Sequence, residues 1–294
     1  MLDVVALSLR VFVTVALVLL ACEPARAQFV TGTIAGAMGG AGRGAVDPGE
    51  ISYLNPASVA HLQRYYFGSH YHTGNYGVEG DRSNYGLLLS DGKADSLIPG
   101  AFSYTKKMIE LPGVSSQMQD FAITLAGFPM RHVSFGVTGH RLVSSQATRE
   151  DTQDNVHLGI LANPIQYLGI GVVVTDALNS SDTLPALSRL NRTYAVGAHV
   201  MMTQSFRIRL DLSQPERQSG YEGRRTDVMA GLETFFNPNW AFRLGSQWAE
   251  TRDQTNLTIG LGYFGPRLSF DYTFQKDARS EIGARHLVDL WLPL

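Results

Sequence analysis

The chain of 294 residues is poor in cysteine and in charged residues. Its one cysteine, Cys22, lies near the N-terminus, ahead of a predicted signal-cleavage site, and only 17% of the residues are charged. We therefore expect a mature chain with no disulfide and no thiolate chemistry. The formal net charge of -2 gives no basic excess, which argues against a nucleic-acid partner.

The chain also lacks an apolar run long enough to cross a bilayer as a helix. The apolar run at residues 11–21 falls short of the roughly 20 residues that such a helix needs. A basic residue precedes this run, and Ala25-Arg26-Ala27 follows it as a cleavage signal. We interpret residues 1–27 as a secretory signal peptide and expect the mature chain to begin at Gln28. An alternative stays open, because the residues before Cys22 resemble a lipobox and would predict lipidation there.

The rest of the chain has no helical periodicity of useful length and alternates instead between apolar and polar side chains. Residues 206–212 show this most plainly, because four apolar side chains there alternate with Arg207, Arg209 and Asp211. Successive side chains of an extended strand point to opposite faces, so this segment has one apolar and one charged face. We predict fourteen such strands, the first three of them short, at residues 65–71, 84–90, 101–106, 119–127, 131–140, 155–162, 167–175, 193–202, 206–213, 226–236, 240–249, 257–264, 267–275 and 285–292.

The connections between these strands alternate in length. Tight turns, most of them with Pro or Asn, are predicted at residues 128–130, 163–165, 203–204, 237–239 and 265–266. Longer polar connections are predicted at residues 142–150, 176–190 and 214–224, and residues 91–100 are long where a tight turn is expected. This alternation is typical of Gram-negative outer-membrane barrels, whose short turns are periplasmic. Fourteen strands would then leave both termini in the periplasm.

The predicted faces of the strands favour a membrane barrel over the alternative, a soluble β-sandwich. One face carries large apolar side chains, such as Phe121, Ile123, Leu125, Leu257, Ile259 and Leu261. The opposite face carries small or polar residues, such as Gly169, Gly171, Thr258 and Gly260, where a sandwich would show more charge. We therefore predict an all-β fold, a transmembrane antiparallel up-and-down β-barrel of about fourteen strands formed by residues 63–294 and embedded in membrane lipid.

Charged residues within the strands indicate which face is inward. A register slip of one residue would turn Arg207, Arg209 and Arg243 towards lipid, at a cost of roughly 2–4 kcal/mol each near the midplane. The residues predicted to line the lumen are Arg207, Arg209, Asp211, Asp227, Glu233, Arg243, Asp271 and Asp289. Two interpretations stay open: an interior lattice of salt bridges that supports the wall, or a charged lining that selects solutes.

Residues 28–62, between the signal and the barrel, have a different composition. A run rich in Gly and Ala at residues 35–45 is followed by Asp47 and then by Tyr53-Leu54-Asn55-Pro56-Ala57. No Lys-Ser/Thr pair follows the glycines, so the run is not a phosphate-binding loop. Small residues at this density suit a thread packed closely against other backbone, or a flexible plug.

This pattern resembles the N-terminal region of the FadL-type outer-membrane proteins, which include long-chain fatty acid transporters and the PorV and PorQ proteins of type IX secretion. Residues 270–272 and 283–286 resemble the closing hairpin of that superfamily. The resemblance implies a fourteen-stranded barrel with residues 28–62 inside it as a hatch. Asp47, Tyr53, Asn55, Pro56 and Ala57 stand at the matching places of the hatch motif.

The sequence offers little for catalysis or metal binding. His70 and His72 share one strand face, and His132 and His140 are predicted to point inward, but a metal site needs three or four converging ligands. No motif selects a Ser–His pair. We predict no enzyme activity, no cofactor and no metal site. The resemblance implies a channel for a small hydrophobic or amphipathic solute; the alternative is a non-transporting barrel that acts as a scaffold or binds a protein partner, as PorV-like components do.

Overall fold

The computed structural model describes residues 32–75, 80–93, 96–111, 114–146, 149–178, 180, 184, 189–216, 226–250, 254–278 and 283–294. The predicted signal peptide at residues 1–27, Cys22 and the predicted mature N-terminus at Gln28 lie outside these described residues. No helix in the described part of the chain is long and apolar enough to cross a membrane.

Fourteen antiparallel strands form one closed barrel, and the predicted fold class is confirmed. The strands are β1 (Tyr65–Asn75), β2 (Asp81–Asp91), β3 (Gly100–Leu111), β4 (Val114–Met130), β5 (Val133–Gln146), β6 (Arg149–Ile165), β7 (Leu168–Thr175), β8 (Thr193–Thr203), β9 (Phe206–Pro215), β10 (Asp227–Asn237), β11 (Trp240–Ala249), β12 (Gln254–Phe264), β13 (Ser269–Asp277) and β14 (Ala284–Pro293). Each strand pairs with its neighbours in the chain, so the barrel is an up-and-down meander.

Pairing of the first and last strands closes the wall. Their register runs from Tyr66 opposite Pro293 to Gly74 opposite Arg285. Closure leaves no strand edge with unpaired backbone groups, each of which would cost several kcal/mol in hydrocarbon. Because successive strands run in opposite directions, β1 begins and β14 ends at the end of the barrel that carries the turns at residues 131–132, 166–167, 204–205, 238–239 and 265–268. These turns are called the short turns below.

The outer face of the wall is apolar. Large side chains exposed on it include Phe121, Ile123, Leu125, Leu210, Leu244, Leu257, Ile259 and Leu261. Near the short turns, exposed aromatic side chains include Phe128, Tyr167, Phe236 and Trp240, which is where an interfacial girdle lies in such barrels. A closed single sheet has no second sheet to cover these residues, so the sandwich alternative is excluded and lipid is the partner of this face.

The hairpin of β5 and β6 corrects one prediction. The predicted loop at residues 142–150 is mostly strand, because β5 continues to Gln146 and β6 begins at Arg149. Polar residues in sequence are typical of a loop, but the part of a strand that extends beyond the hydrocarbon can carry polar side chains on both faces. The outward pair Arg141–Asp154, with 2.6 Å between Nε and Oδ1, lies on this extension. The first three strands are likewise not short, since they contain 11, 11 and 12 residues.

A charge placed on the outer face tests its contact with lipid. Ile259 lies in the middle of β12 and is 43% exposed. We expect Ile259→Arg to lower the free energy of unfolding in lipid vesicles by about 2–4 kcal/mol, because arginine would meet hydrocarbon near the midplane. The matched control is Thr255→Arg, on the same face near the strand end, for which about 0–1 kcal/mol is expected. Equal costs for both variants, measured by urea unfolding, would contradict the lipid assignment.

Candidate functional site: the luminal segment and the inner wall

Residues 32–62, which we call the luminal segment, lie inside the barrel and are nearly all buried. The segment contains a short helix, α1 (Thr33–Ala37), and a 3₁₀ helix at Pro56–His61. Helix α1 contacts strands β11 to β14, whereas the 3₁₀ helix contacts β3 to β6. The segment therefore crosses the lumen from one side of the wall to the other.

Inward-facing glycines let the backbone of the segment lie directly on the wall. A Cβ atom added at Gly171 would stand 1.9 Å from the carbonyl oxygen of Arg43, and one at Gly245 would stand 2.2 Å from the backbone nitrogen of Gly39. Gly231 is the register partner of Gly245, and its Cβ would stand 2.5 Å from the Cβ of Met38. The glycines of the wall thus pack directly against the small residues of the segment, and a side chain at any of these wall positions would separate the two.

Helix α1 is held to the wall by hydrogen bonds at its first residue. The hydroxyl of Thr33 donates to Oδ1 of Asp289 at 2.5 Å, and the Thr33 backbone N–H donates to Oδ2 at 3.2 Å. Nε2 of His72 lies 2.9 Å from Oδ1 of the same carboxylate. The hydroxyl of Thr273 donates to the Thr33 carbonyl at 2.7 Å. Asp289, predicted as a lumen-lining charge, therefore binds the segment.

Glu50 braces the segment internally. Its Oε1 accepts a hydrogen bond from the backbone N–H of Ala35 at 2.7 Å, which ties α1 to the later part of the segment. Burial, and next the nearby charge of Asp47, raises the pKa of Glu50 well above the usual value of a carboxyl. The neutral form of this side chain is favoured inside the barrel, since an ionised carboxylate would lose its hydration.

Arg43 fixes the middle of the segment to Asp211 of strand β9. The guanidinium Nη1 lies 3.0 Å from Oδ2 of Asp211. The backbone N–H groups of Gly42 and Arg43 also donate to that oxygen, each at 2.9 Å. One carboxylate oxygen on the wall therefore accepts three hydrogen bonds from the segment, two of them from its backbone.

Asp47 forms the second ion pair between the segment and the wall. Both terminal nitrogens of Arg209 donate to its carboxylate: Nη1 donates to Oδ2, and Nη2 donates to Oδ1 at 3.0 Å. This bidentate geometry is the strong form of an arginine–carboxylate contact. Arg209 and Asp211 lie two residues apart on β9, so one strand face holds the segment at Asp47 and at Arg43.

The Asn55-Pro56-Ala57 motif shapes the start of the 3₁₀ helix. Oδ1 of Asn55 accepts from the Ala57 N–H at 3.0 Å, which caps the helix, and Pro56 occupies the position where no N–H is needed. The Asn55 amide donates to the Arg43 carbonyl at 2.7 Å. Ser134 of β5 donates to the Ala57 carbonyl at 2.9 Å. Tyr53 takes no part in this cap, and its hydroxyl donates to the Gly49 carbonyl at 2.6 Å.

Four of the charged wall residues form a chain of ion pairs. Glu233 accepts from Arg207 at 3.1 Å and from Nε of Arg243 at 2.7 Å, and Nη1 of Arg243 donates to Asp271 at 2.7 Å. Asp227 is buried at the start of β10, apart from these four. Apart from Asp227, the predicted lumen-lining charges thus either pair with each other or hold the segment.

A cavity of about 110 Å³ lies between the luminal segment and the end of the barrel opposite the short turns. Tyr53 and Leu54 of the segment line it. Met118, Leu142 and Leu190 supply apolar wall, and Asp120, His140, His157 and Asp176 supply polar groups. The arrangement can hold a small molecule with both kinds of surface.

Several residues of this site were not predicted from the sequence. Thr33 and Arg43 bind the wall, but nothing in a run of small residues indicates which polar residue will meet a partner. The isolated charge of Arg43 within that run was the one available signal. His132 was predicted to point inward and is instead exposed in the turn after β4, because the tight turn interrupts the alternation there.

The fold is similar to those of known outer-membrane transport proteins. Superposition with the toluene transporter TbuX of Ralstonia pickettii gives a TM-score of 0.71 at 13% identity and covers 90% of this chain and 98% of that chain. The monoaromatic hydrocarbon channel CymD gives 0.70 at 13% identity, covering 90% and 97%. A FadL homologue of Pseudomonas aeruginosa gives 0.63 at 12% identity, covering 91% and 99%. The predicted resemblance to FadL-type proteins is confirmed in the fold.

The likeness to known proteins is found by comparison of structures and not by comparison of sequences. No known family model matches the chain, and no curated protein matches its sequence. The named structural neighbours are a transporter and a channel, and at 13% identity each the likeness is one of fold.

Proposed function

We propose that this protein is an outer-membrane channel for a small hydrophobic solute, with the luminal segment as its hatch and both termini in the periplasm. Three features support the proposal: the lipid-facing wall, the lumen occupied by a thread of its own chain, and the likeness to transporters of toluene and other monoaromatic hydrocarbons. Displacement of the hatch would open a path through the lumen, or a lateral gap in the wall.

The type of contact between the segment and the wall is the observation that carries this proposal. The segment is held at Asp47, Arg43 and Thr33 by polar and ionic contacts to the wall. A buried ion pair gains little net stability, because desolvation offsets much of its attraction. When water enters the lumen, the separated charges are rehydrated. Such an interface opens at a lower cost than an apolar one of the same size.

The size of the cavity favours a small solute. A cavity of about 110 Å³ is of the order of the roughly 150 Å³ apolar cavity that binds benzene in an engineered protein. Drug-sized ligands occupy roughly 300–1,000 Å³. With the hatch in place, the cavity fits one aromatic ring or a short aliphatic chain better than an extended fatty acid.

Weakening the two ion pairs of the segment tests the hatch. We expect the double variant Asp47→Asn/Asp211→Asn to raise channel conductance and toluene uptake by proteoliposomes. Each substitution leaves an arginine of the closed state, Arg209 or Arg43, buried without its counter-charge, which costs about 3–5 kcal/mol for a broken buried pair, whereas water hydrates that arginine when the lumen is open. The open fraction should therefore rise at least about tenfold. Deletion of residues 28–60 removes nearly the whole segment and should raise conductance and uptake the most.

The matched control for this test is Asp154→Asn, which breaks the exposed pair with Arg141 on the outer face of the barrel. It should leave conductance and uptake unchanged. If neither the double variant nor the deletion alters either measurement, the segment is not a hatch.

A second candidate function is a scaffold that binds a protein partner. It is favoured by the connection between β2 and β3, which exposes Leu97 (96%) and Ile98 (58%) at the end that carries the short turns. Purification in detergent separates the two functions. A stoichiometric protein partner that is lost in Leu97→Ser would support the scaffold, whereas copurified lipid or hydrocarbon would support transport.

A further inference from the structure

Three potential metal ligands converge on the cavity above the luminal segment. His140 lies on β5, His157 lies on β6, and Asp176 directly follows β7. One ligand atom from each lies within 4.8 Å of the other two. The sequence did not predict this cluster, because its members are brought together by strand register and by one backbone turn.

Strand register places the two histidines side by side. His140 is opposite Asn155, and His157 is opposite Thr138, so the histidines are diagonal neighbours on the inner face. Their ring centroids are 4.3 Å apart. Asp176 adopts a positive φ of 51°, and its backbone N–H donates to Nδ1 of His157 at 2.9 Å. That contact holds the Asp176 side chain beside both rings.

We propose that His140, His157 and Asp176 bind a divalent transition-metal ion of the zinc class. Nε2 of His140 lies 3.2 Å from Oδ1 of Asp176, and Nδ1 of His157 lies 3.9 Å from the same oxygen. Ligand atoms about 2.0 Å from a tetrahedral ion are roughly 3.3 Å from each other. The three ligand atoms, which lie within 4.8 Å of one another, would draw closer around the ion. The Nδ1 lone pair of His157 would then bind the metal in place of the Asp176 backbone N–H.

Asp120 supplies the supporting contact that a histidine ligand needs. Its Oδ1 lies 3.1 Å from Nδ1 of His140, on the side of the ring away from Asp176. A proton held on Nδ1 by this carboxylate leaves the Nε2 lone pair free for a metal, which is the common arrangement behind zinc-bound histidines. Without a metal, the same geometry suits an imidazolium bridging Asp120 and Asp176, and this is the competing explanation.

The donor set indicates the class of ion and its place in the molecule. Two imidazoles and one carboxylate suit zinc and its neighbours, whereas calcium and magnesium prefer oxygen ligands alone. Three protein ligands leave one position of a four-coordinate ion for water or for a polar group in the cavity. The ion would thus lie where a solute enters from the side opposite the short turns.

Zinc binding to the intact barrel tests the site. Protein without a polyhistidine tag, purified in detergent and treated with a chelator, is titrated with ZnCl₂ in a calorimeter. We expect one zinc per chain and a higher Tm with zinc. His140→Gln and Asp176→Asn should abolish stoichiometric binding, and Asp120→Asn, which alters a positioning residue, should weaken it by about 10–100-fold.

The matched control is His132→Gln, which removes an exposed histidine in the turn after β4 and should bind zinc like the parent. Heat-modifiable migration on gels checks that each variant has folded. If a variant fails to fold, the absorption spectrum of the parent loaded with Co²⁺ tests the site instead. Intense visible bands, which a tetrahedral site gives, would support the metal site, and their absence would overturn it. Absence of stoichiometric binding by the parent, or binding that persists in both folded ligand variants, would overturn the proposal in favour of the bridging imidazolium.

Discussion

Replacing Gly245 with leucine is expected to force the luminal segment away from the wall. A Cβ at this position would stand 2.2 Å from the backbone nitrogen of Gly39 and 2.3 Å from the carbonyl carbon of Met38. Both are main-chain atoms, so no side-chain rotation relieves the overlap. Overpacking costs roughly 1–3 kcal/mol where side chains can adjust, and a larger cost is expected here.

Reactivity of a buried reporter measures this displacement. Ser52 is 2% exposed within the segment, and Ser52→Cys should be protected from a maleimide in the parent. In Gly245→Leu the same cysteine should react rapidly, and channel conductance should rise with it. The control is Gly139→Leu, on the outer face, where an added Cβ meets no atom within 4 Å. Equal reactivity in both variants would show that the wall contact does not hold the segment.

Replacing Arg243 with leucine is expected to cause the largest loss of stability of any single change described above. Its guanidinium is 1% exposed and lies 2.7 Å from both Glu233 and Asp271. Removing it leaves Asp271 buried without its counter-charge and leaves Glu233 paired with Arg207 alone. Breaking a buried pair in this way costs about 3–5 kcal/mol. Urea unfolding in lipid vesicles measures the loss.

Two comparison variants show whether uncompensated charge is the cause. Arg141→Leu breaks an exposed pair that water and salt screen, so it should change the stability little. The triple variant Arg243→Leu/Glu233→Gln/Asp271→Asn removes all three charges and should recover much of the lost stability. A cost for Arg243→Leu no larger than that for Arg141→Leu would contradict the ion-pair chain as a support of the wall.

The barrel could be predicted from the sequence because lipid imposes a strict alternation wherever a strand crosses it. Residues 257–263 show this clearly, with large apolar side chains outward and Thr258, Gly260 and Gly262 inward. The alternation fails as a guide where strands leave the hydrocarbon, because water tolerates polar side chains on either face. For this reason the pattern predicts a loop at residues 142–150, where β5 and β6 continue as strands to Gln146 and from Arg149.

The luminal contacts could be predicted only in part. The fourteen-stranded pattern placed Arg209 and Asp211 inward, and the motif resemblance singled out Asp47. Which of them pair depends on the path of residues 32–62 through the lumen, and no local pattern encodes that path. The same holds for His157 and Asp176, whose proximity depends on register and on one residue with positive φ.

The bond between Thr33 and Asp289 has a consequence for the order of assembly. It joins residues separated by 256 positions, nearly the whole chain. Contacts of such long range form slowly, since the chain between them must first be ordered. The luminal segment precedes every strand in the sequence, yet it acquires its full set of partners only after the last strand is paired. Until then its glycines and alanines make no lasting contacts, and because they carry little apolar surface they do not drive an early collapse of the segment.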